Sequence, residues 1–208
     1  MPAPNTGLAI STVSAKSVCM SLEFIKPQLA TSVDQAPPRA GWIHEVKHDG
    51  YRTLLIIERR KARAYTRNGF DWSESYLGIT KAAAKLDCRS AVIDGEVIVQ
   101  DERGVSDFEA LKSAIRWKPQ RLIFCAFDLL HLNGTDLRHR PLLERRAELR
   151  ELIPAERPFL FSEEFTGDAS AFFRACADHS MPLTACAWRK RQLPQKREKH
   201  GPTSPRRG

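Results

Sequence analysis

The sequence lacks several features that would place it in a specialised class of proteins. No run of about 18 apolar residues occurs, so no segment is expected to span a membrane. No two cysteines have the C-x-x-C spacing, and no internal repeat is found. The segment from Met1 to Cys19 does not have the basic, apolar and small-residue order of a signal peptide, and we predict that residues 1–20 form a disordered leader. The five cysteines are odd in number and far apart, namely Cys19, Cys88, Cys125, Cys176 and Cys186. This distribution argues against a disulfide framework or a zinc site and for a reducing compartment, which we take to be the cytoplasm.

The composition is that of a folded, basic protein. The chain has 208 residues, of which 42% are hydrophobic, enough for one large domain with a sizeable core. The net charge is +8, which favours an anionic partner, and nucleic acid is the first expectation. A basic protein without such a partner is the alternative.

The pattern of apolar residues predicts more strands than helices. We predict strands over 53–58, 62–66, 90–100, 121–131 and 159–165, with the third interrupted at 94–96. We predict helices over 71–86, 107–115, 141–152 and 169–179. Charged or Asn-Gly turns separate several strands, which is typical of hairpins. The sequence therefore predicts an α+β fold with mostly antiparallel sheets flanked by helices.

The pattern E-x-K-x-D-G-x-R, formed by Glu45, Lys47, Asp49, Gly50 and Arg52, is the stretch with the most chemistry. We predict a strand that runs into a turn at Asp49-Gly50 and places Glu45 and Lys47 on one face. Lysine acts as a covalent nucleophile once it loses its proton. Arg52 favours that loss and the two acids oppose it, so the sequence leaves the protonation state open. Alone, the pattern equally suits a solvated strand end.

Further polar sets follow the first, each predicted at a strand end or a turn. They are Arg67-Asn68-Gly69, Asp94-Gly95-Glu96, Phe127-Asp128 and Asn133-Gly134. Each suits an ordinary turn by itself. In this order and spacing, together with Lys26-Pro27-Gln28-Leu29-Ala30 and the helix start at 141–146, they closely resemble the adenylation (nucleotidyltransferase) domain of ATP-dependent DNA ligases. The resemblance extends from about Leu22 to about His179 and is greatest to the bacterial end-joining type, ligase D.

This resemblance implies a function and roles for particular residues. It implies that Lys47 is the catalytic nucleophile, which attacks the α-phosphate of ATP and keeps AMP as a lysyl phosphoramide. Glu45 then lies near the adenine, Phe127 stacks on it, and Arg52 and Arg67 contact the ribose and phosphates. Glu96 contacts the ribose or serves a Mg²⁺ site. The implied cofactors are ATP and Mg²⁺, and the implied partner is nicked or broken double-stranded DNA in repair and recombination.

The C-terminal part departs from the family pattern. Residues 180–208 are basic and rich in proline, and we predict a disordered tail that contacts phosphates or has no role. The family's later strands, with E-G-x-V and W-x-K-x-K, are not recognised here. We therefore expect a domain over 21–179 that is incomplete at its C-terminus, through truncation or a shifted reading frame, and does not seal nicks.

Two alternatives stay open beside an active ligase domain. One is a non-catalytic remnant that binds nucleotide or DNA weakly. The other is an RNA ligase or RNA-capping type of nucleotidyltransferase, which shares the K-x-D-G pattern. Covalent labelling by ATP or by GTP distinguishes them.

Overall fold

The computed structural model describes residues 22–28, 42–165 and 185–188. Within them the strands are β1 (Trp42–Glu45), β2 (Tyr51–Glu58), β3 (Lys61–Thr66), β4 (Ser90–Ile98), β5 (Ile123–Leu132), β6 (Thr135–Asp136), β7 (Phe159–Phe161), β8 (Glu164–Phe165) and β9 (Ala185–Trp188). The α-helices are α1 (Leu77–Ala83), α2 (Phe108–Trp117) and α3 (Leu142–Leu152), and a 3₁₀ turn covers Pro119–Arg121. The three α-helices of this described part are too short or too polar to cross a bilayer.

The strands form two sheets. The large sheet has the order β3-β2-β4-β5-β6, all antiparallel, and β7 adds to β5 in parallel. The small sheet has the order β8-β1-β9 and is antiparallel. The chain crosses from the large sheet to the small one between β7 and β8. The expected α+β fold with mostly antiparallel sheets is confirmed.

The large sheet is apolar on both faces. One face carries the main core, in which Leu55, Ile93 and Phe124 pack with side chains from all three helices. The opposite face has a smaller cluster of Leu54, Ile56, Val92 and Leu130, covered by Leu22, Phe24 and Ile25 from the described lead-in. The alternation of side chains along β2 therefore buries both of its sides.

Two predicted boundaries are wrong around α1 and β4. The helix predicted over 71–86 is shorter, because Asp71 forms a β-bridge with Tyr65 and its carboxylate accepts hydrogen bonds from the backbone N–H and hydroxyl of Ser73. The strand predicted to be interrupted at 94–96 is continuous. Asp94 is accommodated there because the Arg52 guanidinium binds its carboxylate. The predicted cap of α2 is confirmed, since the Asp107 side chain accepts a hydrogen bond from the Ala110 N–H.

Three predictions near the ends of the domain also need correction. The strand predicted over 159–165 is two short strands in different sheets, joined where the Ser162 N–H donates to the Ala126 carbonyl. Strand β1 ends at Glu45, so the alternation argument does not extend to Lys47. Residues Ala185–Trp188, inside the predicted disordered tail, form β9 beside β1. The rest of that tail, the leader over 1–20 and the helix predicted over 169–179 lie outside the described residues.

Candidate active site

The loop that carries Lys47 is docked on β4 by its backbone. Lys47 itself is exposed, and two residues later the Asp49 N–H donates to the Ser106 hydroxyl at 2.9 Å. Gly50 packs so closely on β4 that an added Cβ would lie 2.3 Å from the Val97 carbonyl oxygen. Glycine is therefore required here by the approach of a neighbouring strand, in addition to the turn that the sequence predicts. Because Gly50 also packs beside the Glu96 side chain, this contact places the loop that carries Lys47 near Glu96.

Three predicted site residues share one face of the large sheet. Arg52 lies directly across from Glu96 in the β2–β4 pairing. Its Nε and Nη2 donate to the two carboxylate oxygens of Asp94 at 2.7 and 2.8 Å. The same guanidinium lies 4.2 Å from the centre of the Phe127 ring. The bidentate ion pair and the cation–π contact fix the plane of the guanidinium.

An irregularity in the pairing of β4 with β5 brings Phe127 to this face. Asp94 pairs with Asp128, but the next pair is Gly95 with Ala126, so Phe127 is an extra residue on β5. Such a bulge re-aims side chains locally. Gly95 has no room for a side chain, because an added Cβ would lie 2.4 Å from the Phe124 ring. The local geometry thus places an aromatic ring and a carboxylate together beside Arg52.

Glu96 has a strongly perturbed carboxyl group. Burial raises its pKa from 4.5 to about 7, and the positive charges of Arg52 and Lys47 oppose that rise. Asp94 and Asp49 raise it further by repulsion. A cation bound beside this carboxyl would be favoured, because a nearby positive charge stabilises the ionised form.

Two adjacent arginines of α3, Arg145 and Arg146, contact residues of the site, and the sequence analysis did not include them among the site residues. Arg145 is fully buried and donates from Nε and Nη2 to both oxygens of Asp128, each at 2.8 Å. Arg146 is also buried, and its Nη1 donates to Glu45 at 2.6 Å and to the Phe127 carbonyl at 2.9 Å. Helix α3 therefore holds both the Glu45 carboxylate and the backbone of Phe127.

A sequence signal for these arginines exists. The buried positions of α3 are Leu142, Arg145, Arg146 and Leu149, which have the i, i+3, i+4, i+7 spacing of the core-facing side of a helix. Two arginines in positions that are normally apolar indicate buried acidic partners, because an unpaired buried charge is very unfavourable.

Of the six predicted site residues, the structure brings five together. Arg52, Glu96 and Phe127 lie on one face, Glu45 joins them through Arg146, and Lys47 lies on the loop that packs beside Glu96 and acts on that carboxyl by its charge. Arg67 is exposed in the turn after β3, and within the described part of the chain no hydrogen bond or ion pair joins it to the others.

The site is chemically suited to a nucleotide and a hard cation. Phe127 offers an aromatic surface, and the Glu45 carboxylate uses only Oε1 for its hydrogen bonds to Arg146 and Ser162 among the described residues. No group of three His, Cys, Asp or Glu side chains in the described residues forms a complete metal site. A single carboxylate such as that of Glu96 still suits Mg²⁺, because this ion is commonly bound by one or two carboxylates together with waters and substrate phosphates.

Comparison with known proteins gives consistent matches. The sequence profile of the family described as "ATP dependent DNA ligase domain" matches residues 26–181. The multifunctional non-homologous end joining protein LigD of Pseudomonas aeruginosa is 42% identical over 149 residues, which are 70% of this chain and 18% of that protein. The LigD protein of Mycobacterium tuberculosis is 33% identical over 156 residues, 74% of this chain and 20% of that protein. The chain thus spans about a fifth of these curated relatives.

Solved structures agree with this comparison. The crystal structure of the ligase domain from M. tuberculosis LigD matches with a TM-score of 0.64 and 28% identity, covering 74% of this chain and 51% of that one. A mycobacterial DNA ligase D complexed with ATP and MES matches with a TM-score of 0.64 and 26% identity, covering 74% and 50%.

Proposed function

This chain belongs to the ATP-dependent DNA ligase domain family, and from that we propose that it is an adenylation domain of the LigD type that transfers AMP from ATP to Lys47. The observation that carries the proposal is the position of Lys47. It is exposed on a loop docked against β4, close enough to Glu96 to act on its pKa, and next to the sheet face of Arg52 and Phe127.

The chemistry assigned to Lys47 is a single displacement. The neutral amine attacks the α-phosphorus, an N–P bond forms, the P–O bond to pyrophosphate breaks, and the amine releases its proton to solvent. Arg52 and the exposed Arg67 offset the negative charge that develops on the phosphates. Phe127 stacks on the base, and Glu45 lies at the base edge. Mg²⁺ at Glu96 would supply further charge neutralisation at the phosphates.

The partner we propose is nicked or broken duplex DNA, in end joining and other repair or recombination. The net charge of +8 supports an anionic partner, and the relatives are named as end-joining proteins. We place the protein in the cytoplasm, where the widely spaced cysteines stay reduced.

Covalent labelling tests the assignment of Lys47. Incubation with α-labelled ATP and Mg²⁺ should transfer label to the protein, and Lys47→Arg should abolish it, because arginine keeps the charge but does not deprotonate. Lys112→Arg is the matched control, since Lys112 is an exposed lysine on α2 paired with Glu109. Label that persists in Lys47→Arg would show that another residue reacts. Label from GTP alone would indicate a capping-type enzyme, and no label from either would indicate a remnant that only binds.

A further inference from the structure

Arg146 is the most connected side chain of the site. Besides Glu45 and the Phe127 carbonyl, it donates from Nε and Nη2 to Glu164 at 3.1 and 2.6 Å and from Nη2 to the Ser162 carbonyl. Its guanidinium also lies 4.8 Å from the centre of the Phe161 ring. One buried guanidinium therefore joins α3 to both sheets.

This arginine resolves an electrostatic conflict in the small sheet. Glu45 on β1 and Glu164 on β8 are direct partners in the antiparallel pairing. Like charges directly opposite each other are destabilising in a sheet. Arg146 contacts both carboxylates at 2.6 Å, so it neutralises a pair that would otherwise repel.

The hydrogen bonds also divide the two oxygens of Glu45. Oε1 accepts from Arg146 at 2.6 Å and from the Ser162 hydroxyl at 3.1 Å. Among the described residues Oε2 accepts no hydrogen bond, and the side chain keeps 12% of its surface exposed. The carboxylate is thus held by one oxygen and offers the other.

We propose that Arg146 is a positioning residue, which holds the Glu45 carboxylate as a hydrogen-bond acceptor and so makes the site prefer a purine with an amino group at C6, adenine, over one with a carbonyl at C6, guanine. This rests on the proposed function. An ionised carboxylate only accepts hydrogen bonds, whereas a protonated one also donates. Loss of Arg146 would favour the protonated carboxyl, which is able to donate a hydrogen bond to the 6-carbonyl of guanine.

The charges around Glu45 support this role. Burial raises the pKa of Glu45, and Arg146 is the first of the groups that oppose the rise, followed by Ser162. Asp128 on β5 adds to the rise, and Glu164 faces Glu45 from β8. Because these acids repel the ionised form, loss of the one guanidinium that contacts Glu45 would raise its pKa further.

Two measurements on the full chain test the proposal. The first is competition of ATP and GTP against a fluorescent ATP analogue. The second is titration of Glu45 by NMR on ¹³C-glutamate-labelled protein, with Glu45→Gln to assign the signal. The variants are Arg146→Gln, Arg146→Lys and Ser162→Ala. Arg150→Gln is the matched control, because Arg150 lies one turn further along α3 and binds Glu163 but not Glu45.

The expected results separate charge from shape. Arg146→Gln should weaken ATP binding about tenfold or more, reduce the ATP-over-GTP preference and raise the pKa of Glu45. Arg146→Lys should weaken ATP binding but keep the preference, since it retains the charge without the planar fork. Ser162→Ala should show a smaller loss of ATP affinity, and Arg150→Gln should show none.

The proposal is overturned if folded Arg146→Lys and Ser162→Ala bind ATP with unchanged affinity. These two variants decide the matter if Arg146→Gln does not fold. If the unaltered chain binds neither nucleotide, the proposed function fails, and the titration still decides the role of Arg146. An unchanged pKa of Glu45 in the folded Arg146 variants would then refute it.

Discussion

The strands β2 and β4 of the large sheet bury runs of aliphatic side chains over 54–57 and 91–93, with the charged pair of Arg52 and Asp94 beside them, whereas β1 of the small sheet has a buried histidine and a partly buried glutamate. Apolar burial is non-directional, so it stabilises the large sheet without dictating where any one atom points. The buried ion pairs of the small sheet depend on geometry, because a misplaced charge loses its partner. The difference teaches that directional forces, here the hydrogen bonds from Arg146 and Ser162, set the orientation of Glu45.

Removing the charge of Arg146, which joins α3 to the small sheet, should change the comparison between the two sheets most. We expect Arg146→Gln to lower the free energy of unfolding by about 3–5 kcal/mol, because it leaves buried carboxylates without their partner. Denaturant titration measures the loss. Amide hydrogen exchange should accelerate in β1 while β2 and β4 stay protected. Equal acceleration in both sheets would mean that the two regions are not stabilised differently.

Close packing in the large sheet offers a second test. Gly95→Ala should destabilise the protein by about 1–3 kcal/mol, because the new methyl group would meet the Phe124 ring and the Cys125 carbonyl. Gly78→Ala is the matched control, since nothing lies within 4 Å of that added Cβ on α1. It should stabilise the protein by about 0.5–1 kcal/mol. Similar changes in stability at both positions, measured by thermal unfolding, would show that β4 and its neighbours adjust to accommodate the added methyl group.

The largely buried Glu96 on β4, an interior strand of the large sheet, predicts a dependence of stability on pH. The pKa of Glu96 is raised to about 7, so between pH 4.5 and 7 the folded state binds more protons than the unfolded state. Stability should therefore fall as pH rises through this window, by up to roughly 3 kcal/mol. Glu96→Gln should remove this fall.

A difference curve isolates the contribution of Glu96. Burial lowers the pKa of the histidines His44, His48 and His131, so their contribution to stability rises with pH, opposite to that of Glu96. Subtracting the Glu96→Gln profile from that of the unaltered protein cancels them. A flat difference between pH 4.5 and 7 would contradict a raised pKa for Glu96.

The smallest effect is expected at the surface. Arg150 and Glu163 form an ion pair whose side chains are 48% and 68% exposed. Arg150→Gln should cost at most about 1 kcal/mol, because water and salt screen exposed charges. A loss as large as that of Arg146→Gln would mean that location on α3, rather than burial of the charge, sets the energy.

The sequence was informative where its signals are local. Short runs rich in apolar and β-branched residues predicted β2, β3 and β5, and Asp107 predicted the start of α2. The resemblance to the ligase family, rather than a local signal, grouped Lys47 with Glu96 and Phe127. The local signals persist because strand periodicity and turn chemistry act over a few residues.

Long-range contacts were not predictable in the same way. The pairing of Arg52 with Asp94 allows β4 to run through a segment that reads as a turn, and nothing near Asp94 announces its partner. The bulge at Phe127 depends on how β4 and β5 align. The end of β1 at Glu45 depends on how the next loop docks on β4 through Gly50. Each of these is a tertiary effect that overrides local preference.

The hydrogen bond between Arg146 and Glu45 spans 101 positions of the chain. Closing so long a loop costs entropy before the contact is gained, whereas the β2–β3 hairpin closes over a two-residue tip. We expect the two regions to form in a fixed order in time, with the hairpin early and β1 late. During synthesis Glu45 leaves the ribosome long before α3 does, so β1 waits for a partner still to be made. The order of assembly would then be opposite to the order of translation for the strand that precedes Lys47, and pulse-labelling hydrogen exchange would detect it as late protection of β1.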